Sequence, residues 1–187
     1  LQGAMDILSE LFSENAEYRT YIRDLTRREG HLTSSTKDDT VTTVYEMYYH
    51  YDEPLPRVAR HRVLALNRGE AEKVLSVKIT APEEQIISYL EKKIIKGSNE
   101  YSAAVLRDAI ADSDQRRMGP AIERELRNDL TETAEDGAIE VFGKNLRQLL
   151  MQPPITGQVV LGWDPAFRTG CKLAVVDATG KVLDTVV

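Results

Sequence analysis

A carboxylate delivered to the end of an apolar strand is the feature of this 187-residue chain that most invites chemistry. Residues 158–163 form an apolar run of strand length that ends in Asp164 and Pro165. Several carboxylates sharing two divalent metals can activate water and stabilise the leaving oxygen of an in-line phosphodiester displacement. One carboxylate cannot. Asp177 does not supply the second, because its place before Ala178, Thr179 and Gly180 is that of a turn-forming residue. In the loop between them, Arg168, Thr169 and the Gly170 amide would face a phosphate if a nucleic acid crossed the strand ends. A local ion pair for Arg168 is the slightly preferred alternative.

Two other groups bear on binding. Residues 57–68 carry Arg57, Arg60, Arg62, Arg68 and His61 with no acid among them, the most basic window of the chain. Residues 44–51 hold four of the eight tyrosines. Aromatic density of that kind suits stacking on bases, but helical spacing of Val44, Met47, Tyr48 and Tyr51 favours core packing instead. Arg19, Arg23, Arg27 and Arg28 read as a solvated helix face rather than a phosphate patch. His31, His50 and His61 each stand without a second ligand at metal spacing, so no metal site and no cofactor is expected, a divalent metal entering only if Asp164 serves a nuclease.

Charge limits these options. A formal net charge of -6 and a pI near 5.2 oppose phosphate approach, so any nucleic-acid contact must be made by local patches. The single cysteine, Cys171, rules out an intramolecular disulfide and fits a reducing cytoplasm; within a strand it is expected to be a buried apolar residue. No apolar run approaches the roughly 20 residues of a membrane span and no signal peptide opens the chain, so a soluble cytoplasmic protein with no membrane partner is expected.

Apolar positions at three- and four-residue spacing predict a helix pair over residues 4–29, with Asn15 or Ser13 capping the second. Residues 31–40 read as a loop or short irregular strand, 44–51 as helix, and 52–56, with two prolines, as a hinge between helices. A helix follows to Gly69. Strict alternation over residues 75–79 predicts one short strand. Thr80, Pro82 and Glu83 look like a capping box for the next helix, Asn99 starts another, and Pro120 should kink or restart it. Apolar steps from Ile122 to Leu149 then predict a very long helix through residues 116–151, or two end to end, with a loosened turn at Gly137. Residues 158–163, 171–177 and 181–187 form an antiparallel meander whose Val159, Leu161, Leu173 and Val175 are expected to bury one face against helices.

The stretch Leu161-Gly162-Trp163-Asp164-Pro165-Ala166-Phe167-Arg168-Thr169-Gly170-Cys171-Lys172 resembles the Tex family of bacterial transcription accessory proteins, in their YqgF or ribonuclease H-like domain. His61-Arg62-Val63-Leu64-Ala65-Leu66-Asn67-Arg68-Gly69 resembles the Tex helical core, and residues 145–154 extend the likeness over nearly the whole chain. Trp163 and Ala166 depart from the residues many relatives carry there.

The resemblance implies a mainly α multi-helix core with a very long helix over residues 1–154. Residues 155–187 would then be the antiparallel three-strand start of an α/β ribonuclease H-like domain. Tex proteins are several times longer, so an internal stretch of a larger protein is expected, with Asp164 a vestigial or incomplete catalytic acid. The implied function is that of a nucleic-acid-binding scaffold, for RNA before DNA, acting with RNA polymerase or its transcripts through domains outside this stretch and without a small-molecule substrate. A structure-selective metal-dependent nuclease and a purely structural protein-interaction scaffold are the alternatives.

Overall fold

Local chemistry sets the first turns. Asn15 separates α1 (Gln2–Glu14) from α2 (Ala16–Glu29) because its side-chain oxygen accepts the Glu17 and Tyr18 N–H groups at 2.9 and 3.2 Å. The computed structural model describes residues 2–97, 99–153, 155–168 and 170–187, and the chain divides into two units, Leu1–Glu140 and Val141–Val187. Pro154 and Thr169 lie outside the described residues.

The first unit contains an antiparallel sheet that the sequence only partly announces. Its order is β2-β1-β3, with β1 (His31–Thr36) in the centre, β2 (His50–Pro54) on one side and β3 (Leu75–Thr80) on the other. β3 is the strand expected from alternation, with Leu75, Val77 and Ile79 buried. Of the two readings open for residues 31–40, the strand holds over 31–36, and the hinge expected at 52–56 is largely an edge strand; both prolines fall where no ladder donor is needed.

The helix expected over residues 44–51 does not form. A short 3₁₀ turn, Glu46–Tyr48, leads into β2, leaving Val44 and Met47 exposed while Tyr45, Tyr48 and Tyr49 enter the core. The Ser34 hydroxyl donates to the Tyr48 carbonyl and fixes this turn against the sheet.

α3 (Arg60–Ala71) and α4 (Glu83–Ile94) flank β3 in sequence. α4 begins after Pro82 with no side-chain cap, so the expected capping box is absent. α5 (Glu100–Ser113), capped by Asn99, passes through a π-helical turn, Asp114–Met118, into α6 (Gly119–Leu150), giving 51 continuous helical residues.

The π turn explains why Pro120 neither stops nor restarts the helix. Proline has no N–H for the carbonyl four residues back and crowds it sterically. The wider turn lets the Gly119 N–H reach the Asp114 carbonyl instead. Gly137 loosens nothing; it is buried within α6. Leu66, Leu90, Ala109, Ile110 and Met118, all fully buried, mark where the helices close on the sheet.

In the second unit β4 (Val160–Asp164), β5 (Lys172–Val176) and β6 (Val182–Val186) form the expected antiparallel meander, with Val160 opposite Val176 and Asp164 opposite Lys172. Asp177 does make the β5–β6 turn. Its Oδ1 accepts the Thr179 and Lys181 N–H groups, and the Thr179 hydroxyl and amide hold its carboxyl below the usual range.

The expected burial of one apolar face is not seen. Val159 and Leu161 remain 66% and 60% exposed, and Leu173 and Val175 are half-buried. A sheet buries a face only where a second layer covers it. Cys171 is likewise exposed, preceding β5 rather than lying inside it. No helix among the described residues is long and apolar enough to cross a membrane.

Candidate nucleic-acid interface

The basic window occupies the turn Leu55–Arg57 and the length of α3. Two of its arginines are already engaged. Arg62 donates to Glu53 on β2 at 2.8 Å, and Arg68 to Glu72 at 3.1 Å. Glu53 also accepts the Tyr51 hydroxyl, so its carboxyl is held below the usual range by Tyr51 first and Arg62 next. The Tyr51 phenol is pushed up to about 12 by burial and by that same carboxylate. Arg62 is thus a structural clasp between α3 and β2, and its charge is largely cancelled locally.

Arg57 and Arg60 differ. Both are exposed, Arg57 in the turn before α3 and Arg60 at its first residue, and neither forms an ion pair among the described residues. Arg60 lies across α6 at Gly137, where an added Cβ would meet its Cδ and Nη1 at 2.7 Å. The missing side chain of Gly137 therefore lets the guanidinium lie flat on the helix.

Arg60 also borders a groove of 680 Å³ whose other rim carries Arg27 and Arg28 from α2 and whose floor includes Leu55, Val63 and Leu126. Arg27 is paired with Asp129 across it. Sequence reasoning placed Arg27 and Arg28 on a separate solvated face; only the packing of α2 beside α6 brings them near Arg60. Arg23, on that same face, pairs with Glu125 at 3.1 Å.

In the second unit Asp164 closes β4, exposed, with its carbonyl accepting the Ala166 N–H at 3.0 Å. Arg168 is exposed in the loop that follows, and Thr169 falls outside the described residues. Among the described residues no three His, Cys, Asp or Glu side chains gather to hold a metal ion. Tyr45, Tyr48 and Tyr49 are too buried to stack on bases.

Comparison with known proteins decides the family. A family model described as "Tex central region-like" matches residues 1–142, and one described as "Tex protein YqgF-like domain" matches residues 158–187. The chain belongs to the Tex family. It is 50% identical to the uncharacterized protein YdcI of Bacillus subtilis over 98% of this chain and 26% of that protein. It is 35% identical to the Protein tex of Bordetella pertussis over 99% of this chain and 25% of that protein. Human S1 RNA-binding domain-containing protein 1 is 29% identical over 98% of this chain and 20% of its own length.

The chain therefore spans about a fifth to a quarter of the curated relatives it matches. Within the Tex frame the basic window and the Arg60 groove belong to the central region, and Asp164 with Arg168 to the YqgF-like part.

Proposed function

We propose that this chain is the central scaffold segment of a Tex-type transcription accessory factor that holds nucleic acid, RNA foremost, and works with RNA polymerase or its transcripts. Its own share of the phosphate contacts is small. The observation that carries this reading is the state of the basic window: inside a matched Tex central region, Arg62 and Arg68 are paired with Glu53 and Glu72, leaving Arg57 exposed and Arg60 on the groove that Arg27 and Arg28 also line. Relatives named for an S1 RNA-binding domain support RNA as the ligand of the longer protein.

Fluorescence anisotropy of labelled single-stranded RNA and duplex DNA against this chain tests it. Two or three neutralised phosphates give a shallow salt slope, so affinity is expected to fall only about tenfold between 50 and 200 mM salt. A slope corresponding to six or more phosphates, or tight binding that survives high salt, would make this segment a principal binding surface. Metal-dependent cleavage lost in Asp164→Asn would move the reading to a nuclease.

A further inference from the structure

The groove lined from α2, α3 and α6 is more apolar than phosphate contact requires. Pro56 is exposed and Val58 and Leu130 are half-buried, so aliphatic surface from the turn before α3 and from α6 is open to solvent. Leu55, Val63 and Leu126 are buried behind it. Single exposed apolar residues need no explanation, whereas apolar surface gathered in one place and rimmed by polar groups marks an interaction site. The 680 Å³ of the groove lies within the roughly 300–1,000 Å³ of binding clefts.

The charged residues that line it are Arg27, Arg28, Arg60, Asp129 and Glu132. Arg27 and Asp129 pair with each other and cancel. Arg60 forms no ion pair among the described residues, and Arg28, its side chain 68% exposed, meets Glu29 only at 4.0 Å. Three cations against two acids leave one positive charge here, in a chain whose net charge is -6. The groove therefore favours an anionic occupant.

Its apolar wall narrows the choice. Among the described residues that line the groove there is no aromatic ring on which a base would stack, and Thr133 is the one uncharged polar side chain to read a base edge. A free phosphate would engage the arginines and leave the aliphatic surface bare. An acidic amphipathic peptide meets both requirements: its aliphatic side chains cover the wall, and its carboxylates accept charge-assisted hydrogen bonds from guanidinium groups.

We propose that this groove docks an acidic amphipathic segment of a partner protein, its aliphatic side chains on Pro56, Val58 and Leu130 and its carboxylates on Arg28 and Arg60. This goes beyond the nucleic-acid reading and does not depend on it.

The test uses the whole 187-residue chain and fluorescence anisotropy of three labelled helical peptides. One carries leucine at i, i+3, i+4 and i+7 with glutamate between, the second replaces every glutamate by lysine, and the third replaces every leucine by serine. Saturable binding of the first is expected, with the other two weaker by about tenfold or more. Arg28→Glu and Arg60→Glu, made singly, should each weaken the acidic peptide roughly threefold to tenfold. Arg124→Glu, the same charge change outside the groove, should leave its affinity unchanged. Leu130→Glu should weaken it about tenfold, and the exposed arginine variants keep the test decisive if that substitution disturbs the helical circular dichroism.

Single-stranded RNA is titrated against the same variants. Peptide binding lost in Leu130→Glu while RNA binding is retained supports the proposal. RNA that displaces the peptide and loses affinity equally in Leu130→Glu would assign the groove to nucleic acid and overturn it. Absence of saturable binding by the acidic peptide, equal binding of its lysine counterpart, or equal loss in Arg124→Glu overturns it as well.

Discussion

The two units of this chain contain comparable apolar side chains and use them differently. In Leu1–Glu140, helices from both sides of β3 converge until Leu66, Leu90 and Ile110 lose all contact with solvent. In Val141–Val187 no described residue is fully buried; Phe142, Leu149, Leu161 and Trp163 stay more than half exposed. The second unit nonetheless keeps an antiparallel ladder, interrupted by one register shift at Val175–Val176, and a well-formed Asp177 turn. Backbone hydrogen bonds and turn chemistry thus suffice to define a sheet's geometry, whereas a core requires a second layer.

The sharpest test of this contrast substitutes one leucine in each unit. Leu90→Ala should destabilise the first unit by about 3 kcal/mol, the usual cost of a buried cavity. Leu161→Ala should change stability by less than about 0.5 kcal/mol, as at an open surface. Urea unfolding checks both, with helical circular dichroism reporting largely the first unit and the fluorescence of Trp163, the one tryptophan, reporting the second. Equal effects would erase the distinction.

A polar network in the first unit gives the next effect. Arg127 on α6 donates to the Val77 carbonyl at 3.0 Å, Asn67 Oδ1 at 3.0 Å and Glu70 Oε2 at 2.6 Å, tying α6 to α3 and β3. Arg127→Met should cost roughly 2–3 kcal/mol, because three acceptors lose a charged donor at once. A loss no larger than that of an exposed arginine would show that packing alone joins these elements.

Asp114 gives the first unit a pH dependence opposite in sign to that of Asp177 in the second, whose lowered carboxyl contributes stability that is lost as pH falls. Burial, and then the charge of Glu83, push the Asp114 carboxyl up to about 6 in the folded state, above the usual aspartate value of 3.8, so between these points the folded chain holds the proton more tightly than the unfolded one. Stability contributed by the neutral acid is therefore present at low pH and lost as pH rises through about 6. Asp114→Asn should flatten this decline and stabilise the first unit at pH 7 by on the order of 1–2 kcal/mol. Denaturant midpoints from pH 4 to 7 check it, and an unchanged profile would contradict it.

The smallest effect concerns binding. Arg60→Ala should lower the salt slope for RNA by about 1, the loss of one phosphate contact, while Arg68→Ala should leave it nearly unchanged. The Glu72 partner of Arg68 makes the difference. Equal losses would mean that local ion pairs do not screen this window.

Features that depend on near neighbours were legible in the order of residues. The Asn15 and Asn99 caps, the alternation of β3, the long helical run and the Asp177 turn each arise from side chains within a few residues of the backbone they serve. The family likeness was legible for a related reason, since contiguous motifs such as residues 161–172 need no fold to be read. The Arg68–Glu72 pair, one helical turn apart, was also within reach and blunts the basic window.

Tertiary structure decided the rest. Residues 31–36 are polar enough to leave loop and strand both open, and lie mid-sheet because β2 and β3 supply partners on both edges. Residues 44–51 have helical spacing, but burial of Tyr45, Tyr48 and Tyr49 against that sheet outweighs the propensity of so short a segment. The pairing of Arg62 with Glu53, the meeting of Arg60 with Gly137, and the groove lined from α2, α3 and α6 all depend on contacts between elements distant in the chain. Their energies come from desolvation and close packing after the chain has folded, which no local pattern of residues encodes.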